Sequence, residues 1–360
     1  LDYHPFLPTR EGDILTSSPR PLYTTRRFEF GVFEPEVFEL AVDLDVLLEL
    51  QAELPAGPRR ARIQQALDDA LDVLDLQDVA GTAARSRERL AAVLAASASE
   101  SEHRISAVGH AHIDSAWLWP IRETMRKCAR TFSNVATLAE DYPDLVFACS
   151  QVQQYEWMRD HYPEVFRRIK DTIAHGSWAP VSGMWVECDS NLPGGEAMVR
   201  QFTYGKRFYA DELGVTANEV WLPDTFGYSG NLPQIAKAAG SRWFLTQKMS
   251  WNETNTLPHH TFWWEGIDGS RIFTHFPPVD TYNSDVSPAE LAHAERNFAD
   301  HGRASVSLLP FGYGDGGGGP TREMLASAAR AADLQAPATL GFRCDPGAAS
   351  GAFPPSLHAR

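Results

Sequence analysis

The chain has 360 residues, of which 43% are hydrophobic and 22% charged, and its formal net charge is −15 at pH 7. This length is enough for about two domains, or for one barrel with an additional segment. The negative charge, the absence of a clustered Lys/Arg patch and the lack of any apolar run near the roughly 20 residues of a membrane span argue against nucleic acid and membrane as partners.

The cysteines give a prediction about the cellular compartment. The four cysteines are widely spaced and form no CxxC pair. This predicts neither a thiolate zinc site nor a disulfide framework, and it favours a reducing, cytoplasmic location. The chain starts at Leu1 without a methionine or a secretory signal, so we expect a fragment of a longer protein. The sequence leaves the oligomeric state open, a homo-oligomer included.

Residues 1–100 are predicted to form an N-terminal arm followed by a helical segment. The first 35 residues or so are rich in Pro, Thr and aromatic residues and have no clear periodicity. Beyond Pro35, apolar residues such as Ile63, Leu67 and Leu71 recur at helical spacing. The segment up to about residue 100 is therefore expected to be mostly helical.

Residues 101–335 are predicted to form an α/β catalytic domain, and residues 336–360, rich in Ala, Gly and Pro, an irregular tail. Seven short apolar runs alternate with helical patterns, one of which spans Gln154 to His175, as is typical of repeated βα units. Seven units predict a seven-stranded (β/α)7 barrel-like domain, with an open doubly wound sheet as the alternative. The runs are Ile105 to Gly109, Leu145 to Cys149, Trp178 to Val181, Glu219 to Leu222, Trp243 to Thr246, Arg271 to His275 and Val306 to Phe311.

The first candidate site segment follows the first predicted strand. It contains His110, His112 and Asp114, whose side chains would share one face if the extended conformation continues. Imidazole with carboxylate suits Zn²⁺, and a catalytic zinc site needs about three protein ligands and one open position. An HxD pair alone is weak support, because most such pairs are structural.

Two further segments place carboxylates after later strands. Asp224 follows the fourth run and would lie on the same rim as His112, although an aspartate that caps its own loop is the alternative. Asp315 follows the seventh run within a glycine-rich segment. That segment is either a flexible connection or a loop that lets a substrate approach the backbone closely, and it does not match a phosphate-binding GxxxxGK[ST] motif.

Taken together, three long segments resemble glycoside hydrolase family 38, the α-mannosidases, and most closely its cytosolic and bacterial branch. The segments are GHAHIDSAWLWPIRET, WLPDTFGYSGNLPQI and FGYGDGGGGPTREML, and the resemblance runs from about residue 1 to about residue 333. It implies a retaining α-mannosidase that hydrolyses terminal α-linked mannose from oligosaccharides or glycans through a covalent glycosyl-Asp intermediate. The partner it implies is a mannose-containing oligosaccharide.

The resemblance also implies a role for each matching residue. His112, Asp114 and Asp224 correspond to ligands of one zinc ion, with cobalt as an alternative metal, and Asp224 also to the catalytic nucleophile. Asp315 corresponds to the general acid/base. The substrate-binding residues that it implies are Trp117, Phe226, Lys248 and Tyr282.

For three further residues near these segments, a structural role is the default expectation. His110 is expected to be a core or supporting histidine. Glu187 and Asp189 follow the third run and could hydrogen-bond sugar hydroxyls, but a solvated loop carboxylate is the default interpretation.

The sequence departs from the family in one respect. Members complete the zinc site with a second histidine from beyond the barrel, and no segment here matches, because His358 has an unlike Pro/Ala setting. One alternative is therefore a truncated, metal-poor fragment that binds zinc weakly and has little activity. The other is a metal-dependent amidohydrolase, since His110 and His112 form an HxH after the first strand, but the later segments do not supply the further ligands that such enzymes need.

Overall fold

The computed structural model describes residues 30–96 and 104–332, apart from 302, 305 and 315, and a short strand at 341–342. None of the helices in these ranges combines the length and the apolar character needed to cross a bilayer. Most of the predicted N-terminal arm and Asp315 lie outside the described residues.

In chain order the elements are α1 Pro35–Glu53, α2 Pro58–Asp72, α3 Val79–Leu94, β1 Arg104–His110, α4 Ile121–Asp141, β2 Phe147–Cys149, α5 Val152–His161, α6 Pro163–Ala174, β3 Trp178–Pro180, α7 Gly195–Phe208, β4 Glu219–Leu222, α8 Leu232–Ala238, β5 Trp243–Thr246, β6 Thr261–Glu265, β7 Arg271–His275, α9 Pro288–Asn297, β8 Val306–Phe311, α10 Arg322–Ala331 and β9 Gly341–Phe342.

Three helices precede the first strand. Pro35 and Pro58 begin α1 and α2, where the fixed φ of proline suits the first turn and its missing N–H costs no hydrogen bond. The carboxylate of Asp78 caps α3 by accepting a hydrogen bond from the N–H of Gly81 at 3.0 Å. The buried faces of these helices share one apolar core with α9 and α10. The N-terminal helices thus pack on the outside of the α/β part of the chain.

Each of the seven predicted runs contains a strand, but the described strands form two sheets. The first has the order β3-β2-β1-β8, with β9 also pairing with β1, and all its pairs are parallel. The second has the order β4-β5-β7-β6, in which β6 is antiparallel to β7. A mixed α/β fold with parallel strands is confirmed, whereas a single seven-stranded barrel is not.

The first sheet stops at β3 for a local reason. This strand has only three residues and ends at Pro180, which has no N–H to donate to a neighbouring strand. Two residues later Ser182 and Gly183 take positive φ angles of 72° and 64°, so the chain leaves the extended conformation. The edge of β3 therefore offers little backbone for pairing with β4.

The two sheets nevertheless enclose a common apolar interior. One buried cluster combines side chains of the first sheet, such as Val108 and Ala148, with side chains of the second, such as Trp221 and Phe273. A hydrogen bond from the N–H of Leu308 on β8 to Nε2 of His275 on β7, at 3.1 Å, also joins the sheets. Side chains at the carboxyl ends of β1 and β4 can consequently meet.

The structure differs from the prediction in three places. The helix predicted from Gln154 to His175 is two helices, α5 and α6, because Pro163 disfavours the helical conformation in Tyr162 before it. The antiparallel strand β6 was not predicted. The tail from residue 336, predicted to be irregular, contains the two-residue strand β9.

Candidate metal and catalytic site

One imidazole and two carboxylates converge at the carboxyl ends of β1 and β4. His112, 2% exposed, has its Nε2 3.3 Å from Oδ1 of Asp114 and 2.9 Å from Oδ2 of Asp224. One ligand atom from each of the three residues lies within 4.8 Å of the other two. This donor set is one that Zn²⁺ and similar divalent ions bind. The three residues that the sequence predicted as metal ligands are therefore brought together.

The surroundings of His112 also fit a metal ligand. Its Nδ1 is 3.3 Å from Oε2 of Glu187, so Nε2 faces the two aspartates. Metal-binding histidines usually give the second ring N–H to a carboxylate in this way. Burial lowers the pKa of His112, but the charge of Glu187 and the hydrogen bonds to the three carboxylates outweigh it and hold that pKa well above its usual value. The carboxylates around His112 thus favour a positive charge between them.

Lys248 holds the other oxygen of Asp224. Lys248 lies just after β5, and its Nζ forms an ion pair with Oδ1 of Asp224. Both side chains are largely buried. Burial raises the pKa of Asp224, but the hydrogen bonds and charges of His112 and Lys248 lower it below its ordinary value. Asp224 is therefore ionised at neutral pH, as both a metal ligand and a nucleophile require.

Aromatic rings surround the ammonium group of Lys248. Its Nζ is 3.1 Å from the ring centroid of Trp251, 4.6 Å from that of Phe226 and 5.0 Å from that of Tyr282. Tyr282 is buried and meets the ring of His112 edge-on at 5.0 Å, whereas Phe226 is 74% exposed. Trp251 was not predicted to belong to the site, because it lies in a short 3-10 turn without a recognisable motif.

Trp117 lies on the same loop as Asp114, three positions later, and is 51% exposed. Large aromatic side chains are usually much more buried, so this ring is available to pack against a bound molecule. Its exposure is consistent with the predicted substrate contact.

The glycine-rich segment that contains Asp315 lies against the end of β1. Asp315 itself is outside the described residues, but Tyr313 and Gly319 on either side of it exchange two backbone hydrogen bonds of 2.9 and 2.7 Å. Gly312 has φ 128°, and a Cβ on it would lie 2.2 Å from the carbonyl oxygen of His110. Only glycine allows this close approach, which brings the segment next to the loop that carries His112.

Two of the neighbouring residues do not join the metal-ligating group. His110 is 1% exposed, its Nδ1 is 2.9 Å from the carbonyl oxygen of Ala148, and burial lowers its pKa to about 4. It is a neutral core histidine. Asp189 accepts hydrogen bonds from the N–H groups of Asn191 and Leu192 in its own loop.

Glu187 is a second residue of the site whose position the sequence did not predict. Its side chain is 6% exposed, and its Oε1 accepts a hydrogen bond of 2.6 Å from the N–H of Asp224. A solvated loop carboxylate was the default interpretation. The one signal in the sequence was its position after β3, which Asp189 shares.

Comparison with known proteins assigns the chain to a class of carbohydrate-processing proteins. The sequence profile of the glycosyl hydrolases family 38 N-terminal domain matches residues 102–346. The chain belongs to glycosyl hydrolase family 38, as the three motif segments predicted.

Two curated relatives illustrate the similarity. Alpha-mannosidase 2C1 of Homo sapiens is 47% identical over 314 residues, which are 87% of this chain and 30% of that protein. Alpha-mannosidase G of Dictyostelium discoideum is 42% identical over 319 residues, which are 88% of this chain and 29% of that protein. The chain thus spans about 30% of the length of these relatives.

A solved structure supports the fold. The crystal structure of an alpha-mannosidase from Enterococcus faecalis V583 superposes with a TM-score of 0.53 at 20% sequence identity, over 64% of this chain and 27% of that one. At this identity the similarity concerns the fold alone.

Proposed function

We propose that this chain forms the zinc-binding catalytic part of a retaining α-mannosidase that releases terminal α-linked mannose from oligosaccharides or glycans. The observation that supports this most directly is the convergence of His112, Asp114 and Asp224 at one point in a chain of family 38. The two relatives are named as α-mannosidases, which supports a mannose-containing oligosaccharide as the substrate. A cytoplasmic location and a homo-oligomeric state remain predictions from the sequence.

In the proposed reaction one carboxyl group is the nucleophile and a second is the general acid/base. The carboxylate of Asp224 attacks the anomeric carbon while the bond to the leaving oxygen breaks, and the carboxyl group of Asp315 gives that oxygen a proton. Water then attacks the resulting glycosyl-Asp ester as Asp315 takes a proton from it. The role of Asp315 rests on the family resemblance and on its place after β8.

The surrounding residues prepare Asp224 for this role. Lys248 and His112 each hold one of its oxygens, which keeps it ionised and fixes its orientation. The exposed rings of Trp117 and Phe226 offer apolar faces for the C–H side of a sugar ring, and Tyr282 packs behind His112. When bound by His112, Asp114 and Asp224, a zinc or cobalt ion would supply a Lewis acid that holds vicinal sugar hydroxyls.

The direct test is hydrolysis of an aryl α-mannoside by the purified chain, with and without added zinc or cobalt. We expect metal-dependent hydrolysis, and Asp224→Ala should lower kcat/KM by at least about 1,000-fold because the attacking group is lost. Asp189→Asn, which removes a carboxylate that serves only its own loop, should keep the wild-type rate. Equal residual rates in wild type and Asp224→Ala would remove Asp224 from this role.

The two alternatives give different results in the same experiment. A metal-poor fragment would contain far less than one zinc ion per chain in elemental analysis and would show little turnover, whereas stoichiometric zinc with full turnover would refute it. An amidohydrolase would need His110 as a ligand, but the group of described side chains that could hold an ion consists of His112, Asp114 and Asp224 and does not include His110. The position of His110 therefore disfavours that alternative.

A further inference from the structure

Glu187 connects the two parts of the candidate site. Its Oε2 is 3.3 Å from Nδ1 of His112, and its Oε1 accepts a hydrogen bond of 2.6 Å from the N–H of Asp224. We propose that Glu187 is the positioning residue of this site, which sets the ring orientation of His112 and the backbone position of Asp224 together. The proposal deepens the proposed function and rests on it for the metal-binding role of those two residues.

The contact with His112 determines which ring nitrogen is available. Nδ1 is the ring nitrogen that lies beside the Glu187 carboxylate, so Nε2 is the nitrogen directed at Asp114 and Asp224. A carboxylate behind a ligating histidine fixes the tautomer and the ring orientation and makes the ligand more basic. Glu187 thus selects the atom of His112 that a metal would meet.

The contact with Asp224 fixes the second ligand through its main chain. Asp224 lies 37 positions after Glu187, at the end of β4, whereas His112 follows β1 in the other sheet. A single carboxylate therefore sets the distance between groups from two different sheets.

Glu187 is itself held in place. Its N–H donates to Oε1 of Gln151 at 3.3 Å, and Nε2 of Gln151 donates to the carbonyl oxygen of Ile113 at 2.8 Å. The hydroxyl of Ser115 donates to the same Oε1 of Gln151 at 2.7 Å. Buried Gln151 thus joins the loop after β1 to the loop of Glu187, and the positioning carboxylate has a rigid support.

The two contacts of Glu187 make its variants informative. The His112 ring and the Asp224 N–H lie against two different oxygens of Glu187, whereas the amide of Glu187→Gln has one oxygen and one NH₂ group, so only one of the two contacts can stay with an oxygen. Glu187→Asp keeps the negative charge but is one methylene shorter, so it cannot reach both donors. Asp189→Asn removes a negative charge two positions away and keeps an acceptor for its own loop, so it controls for charge alone.

The first measurement is zinc affinity, by competition with a chromophoric chelator, together with the visible absorption spectrum of the cobalt-loaded protein. We expect Glu187→Gln and Glu187→Asp to weaken zinc binding by about 10- to 100-fold and to change the cobalt spectrum. Asp189→Asn should stay within about twofold of wild type. Wild-type affinity in Glu187→Asp would mean that charge alone acts and would overturn the proposal.

The second measurement needs no metal. It is the NMR chemical shift of the Asp224 amide proton in selectively labelled protein. A short hydrogen bond to a carboxylate moves an amide proton downfield, so this proton should resonate far downfield in wild type and in the control Asp189→Asn. It should move upfield in Glu187→Gln and Glu187→Asp. An unchanged shift in both Glu187 variants would overturn the proposal. If wild type binds no zinc but these shifts occur, the metal-dependent function fails while the positioning role stands.

A kinetic measurement separates positioning from general loss of structure. Because Glu187 is buried behind His112 and Asp224, its variants at saturating zinc should lower kcat and leave KM within about threefold. Circular dichroism checks that each variant folds. If Glu187→Gln does not fold, the charge-retaining Glu187→Asp decides the question by the same three measurements.

Discussion

At the scale of single residues, the candidate site is held together by contacts between loops that lie far apart in the chain. His112 and Asp114 lie two positions apart, and Asp224 lies within a long motif, so the family resemblance of these segments implied all three as ligands, which neither the HxD pair nor the single aspartate did alone. Glu187 and Trp251 belong to no such pattern. Their roles depend on contacts between loops far apart in the chain, such as the hydrogen bond between Glu187 and Asp224, and these exist only in the folded protein.

Glu219, the first residue of β4, is expected to make stability depend on pH. It is 4% exposed, and burial raises its pKa to about 7, although the N–H of Asn218 and the charge of Lys206 oppose this. Between the unfolded pKa of about 4.3 and the folded value, the folded state binds more protons. The contribution of Glu219 therefore declines as pH rises through this window and levels off above about pH 7.

The measurement is urea unfolding at several pH values between 4.5 and 8. Relative to wild type, Glu219→Gln should gain stability as pH rises, by up to about 3 kcal/mol across the window, because its amide does not ionise. Glu88→Gln, which changes an exposed glutamate on α3, should follow the wild-type pH profile. Parallel profiles for wild type and Glu219→Gln would contradict the expected titration.

Helices and strands were predicted with more success than their pairing. The seven strand runs are mostly buried, as the strands of a parallel sheet usually are, although the run at β7 begins with exposed Arg271. The strand β6, Thr261–Glu265, is only half-buried and pairs antiparallel at a sheet edge, so it lacked that signal. The break before Pro163 could have been predicted from the proline, whereas the division into two sheets depends on hydrogen bonds that no single run encodes.

Helix α7 is packed tightly against the loop that leads to Glu187. A Cβ on Gly205 would lie 2.2 Å from the carbonyl oxygen of Gly183, and the N–H of Trp185 donates to the carbonyl oxygen of Gln201 on the same helix. Gly205→Ala should therefore lower the free energy of unfolding by about 1 to 3 kcal/mol, because the backbone of that loop must move. Thermal unfolding followed by circular dichroism measures the effect.

The same helix offers a matched control. Gly195 is its first residue, and a Cβ there meets nothing within 4 Å. Gly195→Ala should change the free energy of unfolding by less than about 1 kcal/mol. If both alanine variants are equally stable, the close approach at Gly205 does not constrain the loop.

At the scale of the whole molecule, one buried carboxylate ties the N-terminal helices to the α/β part. Asp43 on α1 is 2% exposed and pairs with Arg87 on α3, at 2.8 Å, and with Arg330 on α10. Each arginine has a second carboxylate partner at the surface, Glu36 or Glu39. This network lies apart from the contacts of the candidate metal site.

Asp43→Ala should therefore cost stability without altering metal binding. We expect a loss of about 2 to 3 kcal/mol in the free energy of unfolding, less than for a fully unpaired buried charge because both arginines keep one partner. Zinc affinity should stay within about twofold of wild type. Asp45→Ala, at an exposed position of the same helix, should change stability by less than about 0.5 kcal/mol, and an equal loss in both variants would contradict the role of the network.

The division of the described strands into two sheets has a thermodynamic consequence. His112 and Asp114 follow a strand of one sheet and Asp224 a strand of the other, and no backbone ladder in the described ranges joins β3 to β4. Anything that binds all three side chains is then a non-covalent cross-link between the two halves. Each tenfold rise in the free concentration of the bound ligand above its Kd adds about 1.4 kcal/mol to the free energy of unfolding. Occupancy of the candidate metal site and the free energy of unfolding of the protein thereby become coupled quantities.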